Sequence, residues 1–126
     1  MSAKKILIVD DEPHVLEVLR VTLEDFGFKI LEAMDGEDAI ATVQEQRPDL
    51  VVLDVMLPGR DGQEICRQLK ASSDTAAIPV IMLTARSGPE NEREGLEAGA
   101  DAYLTKPFSP LTLLSEVHRQ LQLEIA

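Results

Sequence analysis

The sequence is poor in aromatic residues, in cysteine and in positive charge. Aromatic residues make up 3% of the 126 residues and tryptophan is absent, so aliphatic side chains must form most of the core. The single cysteine, Cys66, excludes an internal disulfide and favours a reducing, cytoplasmic setting. Lys and Arg number 12 against 23 Asp and Glu, and the net charge of −11 argues against direct nucleic-acid binding and against a basic membrane-binding helix.

The sequence also has no long apolar run. The first apolar stretch covers only residues 6–9 after a polar start, which is unlike a signal peptide. No stretch approaches the ~18 apolar residues of a membrane-spanning helix. The overall hydrophobic content is nevertheless 44%, enough for one folded domain. We therefore expect a single domain over residues 1–126 and no contact with a membrane.

Strand-like and helix-like segments alternate along the chain. The strand-like runs are residues 6–9, 28–33, 50–53, 78–84 and 102–105. The helix-like segments are residues 13–26, 36–46, 61–71, 89–98 and 110–124. Strict alternation of this kind predicts an α/β fold, in which helices cover both faces of a five-stranded parallel sheet.

Apolar residues spaced three or four apart predict which helix faces pack on the sheet. In the first helix this face includes Phe26 at its end, and Cys66 lies on such a face in the third helix as a small core residue. The fourth helix has few apolar anchors beyond Leu96 and Ala98. Because weakly anchored elements are the ones that move, this helix is the expected mobile part.

We expect the strand order 2-1-3-4-5, which is a known order of doubly wound sheets and agrees with which strands must be buried. Right-handed crossovers leave few topologies, and the order 2-1-3-4-5 buries the apolar strands 1, 3 and 4 while the weaker second strand lies at an edge. The carboxyl ends of parallel strands meet along one edge, where ligands bind. At those ends the sequence has the acidic residues 10–12, Asp54, Thr84 and Lys106.

Each of these polar residues also has an ordinary explanation. The acidic residues 10–12 suit the start of a helix, Asp54 suits a loop cap, Thr84 suits a strand and Lys106 suits a solvated surface. These explanations remain open for each residue alone, but they do not account for the convergence. Several carboxylates at one edge repel each other unless a cation is present, and oxygen ligands without His or Cys favour Mg²⁺ over Zn²⁺.

Four segments carry a more specific likeness: VDDEP, LDVMLPGRDG, PVIMLTA and GADAYLTKPF. In this order and spacing they resemble the receiver domain of bacterial two-component response regulators, over about residues 4–122. The resemblance implies a flavodoxin-like (βα)5 three-layer sandwich that acts as a phosphorylation-dependent switch. Its implied partners are a histidine kinase or phosphotransfer protein, as the phosphoryl donor, and a downstream effector protein or domain.

The resemblance implies roles for the acidic residues. Asp54 is expected to accept the phosphoryl group from a phosphohistidine, and the domain itself promotes this transfer and the later hydrolysis. Asp11 is expected to bind Mg²⁺ directly and Asp10 to act mainly through metal-bound water. The backbone carbonyl of Met56 completes the protein's share of the ligands. Mn²⁺ is the expected substitute for Mg²⁺.

Three further positions are implied to hold the phosphoryl group. The side chain of Thr84, the backbone N–H of Ala85 and the ammonium of Lys106 are expected to contact its oxygens. The bond between Lys106 and Pro107 resembles the cis peptide of the family.

The resemblance also implies how the phosphoryl group is sensed. Thr84 is expected to move toward it and Tyr103 to turn inward, which changes the surface of helix 4, strand 5 and helix 5. The alternative for Tyr103, a strand aromatic with a hydrated hydroxyl, remains open. Met56 and Arg86 occupy positions that tune hydrolysis of the acyl phosphate.

The sequence departs from one subfamily that it otherwise resembles, the receivers of DNA-binding regulators. That subfamily has an acid and then a base early in the last helix, where this sequence has Thr112 and Glu116, and a second acid where Ala102 stands. These changes weaken the expectation of a homodimer through helix 4, strand 5 and helix 5. The sequence ends soon after the last helix, so we expect a free-standing receiver or a fragment of a longer regulator.

Three other readings compete with a phosphorylated receiver. A haloacid-dehalogenase-type phosphatase needs an acid where Met56 stands, and a flavodoxin-like flavin carrier is disfavoured because the acidic residues 10–12 would repel the flavin phosphate. A degenerate receiver, acting as a phosphorylation-independent interaction module, remains the alternative. His14 and His118 lie apart on helices and are expected to be solvated rather than to carry the phosphoryl group.

Overall fold

Five strands and five helices alternate in the computed structural model, which describes residues 3–122. The strands are β1 (Lys5–Val9), β2 (Lys29–Ala33), β3 (Leu50–Leu53), β4 (Val80–Thr84) and β5 (Ala102–Thr105). The helices are α1 (Pro13–Asp25), α2 (Gly36–Gln46), α3 (Gly62–Ala71), α4 (Pro89–Glu97) and α5 (Pro110–Leu121). Residues 123–124, which the sequence assigned to the last helix, lie outside the described residues.

All strand pairs are parallel, and the order β2-β1-β3-β4-β5 confirms the predicted α/β topology. Leu7 of β1 lies opposite both Leu31 and Val51, so the first strand is central and β2 forms an edge. None of the helices within residues 3–122 combines the length and the apolarity that crossing a bilayer requires.

The sheet separates two apolar cores. Successive residues of a strand point to opposite faces, so Leu7 packs with α2 and α3 whereas Ile8 packs with α1 and α5. Both side chains are fully buried, which explains why the central strands are apolar throughout rather than alternating. Cys66 lies in the first core as predicted, and burial raises the pKa of its thiol to about 11, which disfavours the reactive thiolate.

Two predicted anchors are wrong. Phe26 is 57% exposed because α1 ends at Asp25 and the chain turns at Gly27 with φ +90°, so Phe28 enters the core instead. Leu96 is 45% exposed and faces away from the sheet. Helix α4 instead places Gly95 and Ala98 against the sheet, since a Cβ at Gly95 would lie 2.6 Å from the Tyr103 ring. Helix α4 is therefore anchored even more weakly than the sequence indicated.

The histidine prediction is correct for only one of the two residues. His14 is exposed, whereas His118 is half-buried. The ring centroid of His118 lies 6.0 Å from that of Phe28, and its Nδ1 is buried without a hydrogen-bond partner among the described residues. The reason is that α5 carries His118 toward the loop between α1 and β2, where Phe28 covers it.

The half-exposed carboxylate of Asp101 fixes the start of β4. The Oδ2 atom of Asp101 accepts hydrogen bonds from the backbone N–H of Val80 at 2.8 Å and from Lys70 Nζ at 2.9 Å. The same ammonium reaches the carbonyl oxygens of Ala76 and Ile78. Asp101 thus joins α3 and the loop before β4 to the start of β5.

We expect Asp101→Ala to lower the free energy of unfolding by about 1–3 kcal/mol, because the buried N–H of Val80 loses its acceptor. Asp101→Asn keeps an oxygen acceptor and should cost less. Urea denaturation measures both. Equal stability of wild type and Asp101→Ala would show that this contact contributes nothing to the fold.

Candidate functional site

The predicted site residues meet at the carboxyl edge of the sheet. Asp10 follows β1, Asp54 follows β3, Thr84 ends β4 and Lys106 follows β5. The backbone N–H of Lys106 donates to the carbonyl oxygen of Thr84 at 2.8 Å, which extends the pairing of β4 with β5 up to the site. The peptide bond between Lys106 and Pro107 is cis.

One ammonium group joins two buried carboxylates. Lys106 Nζ lies 2.6 Å from Asp10 Oδ2 and 3.0 Å from Asp54 Oδ2. The side chains of Asp10 and Asp54 are only 2% and 5% exposed, so water screens them little. Glu12 adds a longer contact, 3.6 Å from the same ammonium. Removal of the ammonium would leave two buried carboxylates without a counter-charge.

The pKa values of Asp10 and Lys106 are both shifted because charged groups are crowded and partly buried at this site. Burial raises the pKa of Asp10, and its hydrogen bond with Lys106 only partly opposes that effect. Burial alone would lower the pKa of Lys106, but hydrogen bonds to Asp10 and Asp54 outweigh it and the pKa is raised. The ammonium therefore stays charged at neutral pH, while ionisation of Asp10 is disfavoured.

The backbone fixes the second oxygen of each buried carboxylate. Asp10 Oδ1 accepts from the N–H of Glu12 and Asp54 Oδ1 accepts from the N–H of Met56, each at 3.0 Å. A side chain at Gly62 would collide with the backbone carbonyl of Asp54, so the first turn of α3 comes close to Asp54 only because residue 62 is glycine. The orientation of Asp54 is thus set by its own loop.

Four carboxylates form a cluster suited to a metal ion. Asp10, Asp11, Glu12 and Asp54 each offer an oxygen, and these oxygens lie within 4.8 Å of one another. An all-oxygen set with two exposed members, Asp11 and Glu12, fits a hard cation such as Mg²⁺ that keeps some of its water. Glu12 was not among the predicted ligands, although its position next to Asp11 was a signal in the sequence.

Hydrogen bonds join Arg86, in the loop after β4, to Thr84 and to Tyr103. Thr84 is fully buried, and its Oγ1 accepts from the backbone N–H of Arg86 at 3.3 Å. The Tyr103 hydroxyl donates to the carbonyl oxygen of Arg86 at 2.6 Å, so it is bound to protein, and the half-buried ring lies against Gly95. Ala85, between Thr84 and Arg86, is exposed at the rim of the site.

An ion pair joins the two loops that flank Asp54. Arg86 Nη1 lies 3.6 Å from Asp61 Oδ2. Asp61 also pairs through its backbone with Met56, and its Oδ1 accepts from the N–H of Gln63 at 2.8 Å, which caps α3. Sequence reasoning identified Arg86 but missed Asp61, because the pairing arises only when the loops after β3 and β4 meet.

Comparison with protein families identifies the class of this domain. The family model described as "Response regulator receiver domain" matches residues 6–118. The chain therefore belongs to the receiver domain family of response regulators, as its sequence motifs indicated.

One curated relative is the phosphate regulon transcriptional regulatory protein PhoB of Pseudomonas aeruginosa. It is 47% identical over 122 residues, which cover 97% of this chain and 53% of PhoB. The chain thus spans about half the length of this relative, and the match describes only that part of PhoB.

Solved structures show the same fold. The chemotaxis response regulator CheY4 of Vibrio cholerae matches with a TM-score of 0.89 and 35% identity, covering 94% of this chain and 99% of CheY4. The receiver domain of a signal transduction histidine kinase from Syntrophus aciditrophicus matches with a TM-score of 0.89 and 41% identity, covering 95% of this chain and 91% of that one.

We expect Asp10→Asn to stabilise the metal-free protein at pH 7. Four carboxylates share one ammonium in this cluster, and the buried Asp10 is the one whose ionisation is disfavoured. The gain should be about 1 kcal/mol, or roughly 3–5 °C in the unfolding temperature. Calorimetry in the presence of a chelator measures it.

Asp35→Asn is the matched control, because it removes an exposed carboxylate at a helix cap and Asn caps equally well. It should leave the unfolding temperature nearly unchanged. Equal effects of the two substitutions would show that overall charge, rather than crowding at the site, limits stability.

Proposed function

We propose that Asp54 accepts a phosphoryl group from a phosphohistidine of a histidine kinase or phosphotransfer protein, and that the domain thereby acts as a signalling switch. The observation that carries this proposal is the contact of Lys106 with both Asp54 and Asp10 inside a cluster of four carboxylates. Membership of the receiver family supports it. We also propose that residues 1–126 form a single receiver domain, with its core at about residues 4–122.

The transfer needs positioning and charge compensation from the protein. A carboxylate oxygen of Asp54 forms the new bond to phosphorus as the bond from phosphorus to the histidine nitrogen breaks. The N–H of Met56 holds Asp54 in place, and Lys106 offsets negative charge on the phosphoryl oxygens. The side chain of Thr84 and the N–H of Ala85, at the end of β4, contact the other oxygens in this proposal. Hydrolysis of the acyl phosphate later resets Asp54.

The donor set supports a divalent cation at this site. Asp11 and Asp54, with the backbone carbonyl of Met56, would hold Mg²⁺ directly, and Asp10 would act through water. Glu12 joins this set because its oxygen lies in the same cluster. When bound, Mg²⁺ supplies positive charge that offsets the phosphoryl oxygens, and Mn²⁺ can replace it.

Phosphorylation acts on the surface of α4, β5 and α5 in this proposal. A phosphoryl group on Asp54 brings about −1.5 to −2 charges and new acceptor oxygens. Thr84 moves toward them, and Tyr103 follows because both residues contact the backbone of Arg86. Helix α4 responds readily because it packs on the sheet mainly through Gly95 and Ala98. The changed surface then controls an effector protein or domain.

Incubation with Mg²⁺ and acetyl phosphate, a small phosphoryl donor, tests this function. We expect intact-mass spectrometry to show one phosphoryl adduct on the wild type. Asp54→Asn should show none. Asp11→Asn should need at least about tenfold more Mg²⁺ to give the same amount of adduct. Asp35→Asn makes the same change in charge at a carboxylate that is not one of the four in the cluster, and it should behave as the wild type.

Two results would contradict the proposed phosphorylation of Asp54. A wild type without an adduct would favour a degenerate receiver that binds its partners without phosphorylation. An unchanged adduct on Asp54→Asn would place the acceptor elsewhere.

A further inference from the structure

We infer that Asp61 is a positioning residue, which controls how strongly the site attracts an anionic phosphoryl donor by neutralising the guanidinium of Arg86. This inference rests on the proposed function of Asp54. It adds a residue on a different loop, which acts through Arg86 and does not itself contact the reacting atoms.

The geometry fixes the carboxylate of Asp61. One of its oxygens accepts from the N–H of Gln63 at 2.8 Å, and its backbone pairs with that of Met56. The neighbouring Gly62 packs on the backbone of Asp54 and donates its N–H to Val55 at 2.8 Å. Asp61 therefore belongs to the same rigid loop as Asp54, and its second oxygen is free to face the loop after β4.

The backbone of Arg86 is held by hydrogen bonds, whereas its side chain is half-exposed and contacts Asp61 only at long range. Its N–H donates to Thr84 and its carbonyl accepts from Tyr103. The side chains of Arg86 and Asp61 are 39% and 44% exposed and 3.6 Å apart. Within residues 3–122, Asp61 is the only acidic residue at ion-pair distance from Arg86. A long, half-exposed pair of this kind is weak, so the guanidinium can exchange one anion for another.

The exchange of Asp61 for another anion at Arg86 affects donor binding because the site carries an excess of negative charge. Four clustered carboxylates face one ammonium, so the edge of the sheet is strongly negative and repels an anionic donor. Arg86 is a second cation beside this edge, and Asp61 cancels its charge. A phosphoryl group carries more negative charge than a carboxylate and competes with Asp61 for the guanidinium.

The test is the dependence of the phosphorylation rate on acetyl phosphate concentration at saturating Mg²⁺. Asp61→Asn removes the charge and keeps the helix cap. We expect it to lower the half-saturating concentration about two- to fivefold, the range that exposed ion pairs give, with an unchanged rate at saturation. In an Arg86→Ala background, Asp61→Asn should have no such effect, because the residue through which Asp61 acts is gone.

Glu64→Gln is the matched control. Glu64 lies in the same first turn of α3 and pairs with Arg60 at 3.3 Å, so the substitution makes the same change in charge without touching Arg86. It should leave the half-saturating concentration unchanged, and an equal decrease would overturn the inference. So would an effect of Asp61→Asn that persists in Arg86→Ala. Failure of the proposed function looks different, since no variant would then carry an adduct.

Discussion

The ammonium group of Lys106 holds together two carboxylates that the fold buries at the carboxyl edge of the sheet. Asp10 and Asp54 come from neighbouring strands, β1 and β3, and both are almost inaccessible to water. Neither would be tolerated there without a cation, because burial of an unpaired charge costs several kcal/mol. The other features of the site are arranged around this contact. They include the two exposed carboxylates, the glycine that lets α3 approach, and the backbone hydrogen bonds that orient each acid.

One ammonium does not balance the charge of four carboxylates. This excess of negative charge bears both on the stability of the domain and on its proposed function. We propose that a divalent cation relieves the repulsion among these carboxylates, and that this cation and Lys106 together then attract a phosphoryl group. In the proposed switch, the response reaches the surface through the backbone of Arg86, which contacts both Thr84 and Tyr103. Helix α4 lies at the end of this chain of contacts and has little apolar anchoring. This is the route by which we propose that a change of charge at Asp54 alters a surface beyond the reacting atoms.

The sequence correctly predicted the features that depend on the spacing of apolar residues and on the order of strand-like and helix-like segments. The alternation of strand-like and helix-like segments predicted the five βα units, and the shared edge of parallel strand ends predicted that Asp54 and Lys106 lie together. It was wrong where a single turn redirects a side chain, as at Phe26, and at Leu96, since α4 places Gly95 rather than Leu96 against the Tyr103 ring. It missed Asp61 because an ion pair between two loops leaves no pattern in either segment.

The protonation state of Lys106 tests the central claim most directly. Nitrogen-15 NMR of the lysine side chains can follow the Nζ signal of Lys106 through an alkaline titration, with Lys106→Arg used to assign the signal. The account predicts a pKa above the ordinary value of about 10.5, and slow exchange of the ammonium protons bound to Asp10 and Asp54. A Lys106 that titrates and exchanges like an exposed lysine would contradict it.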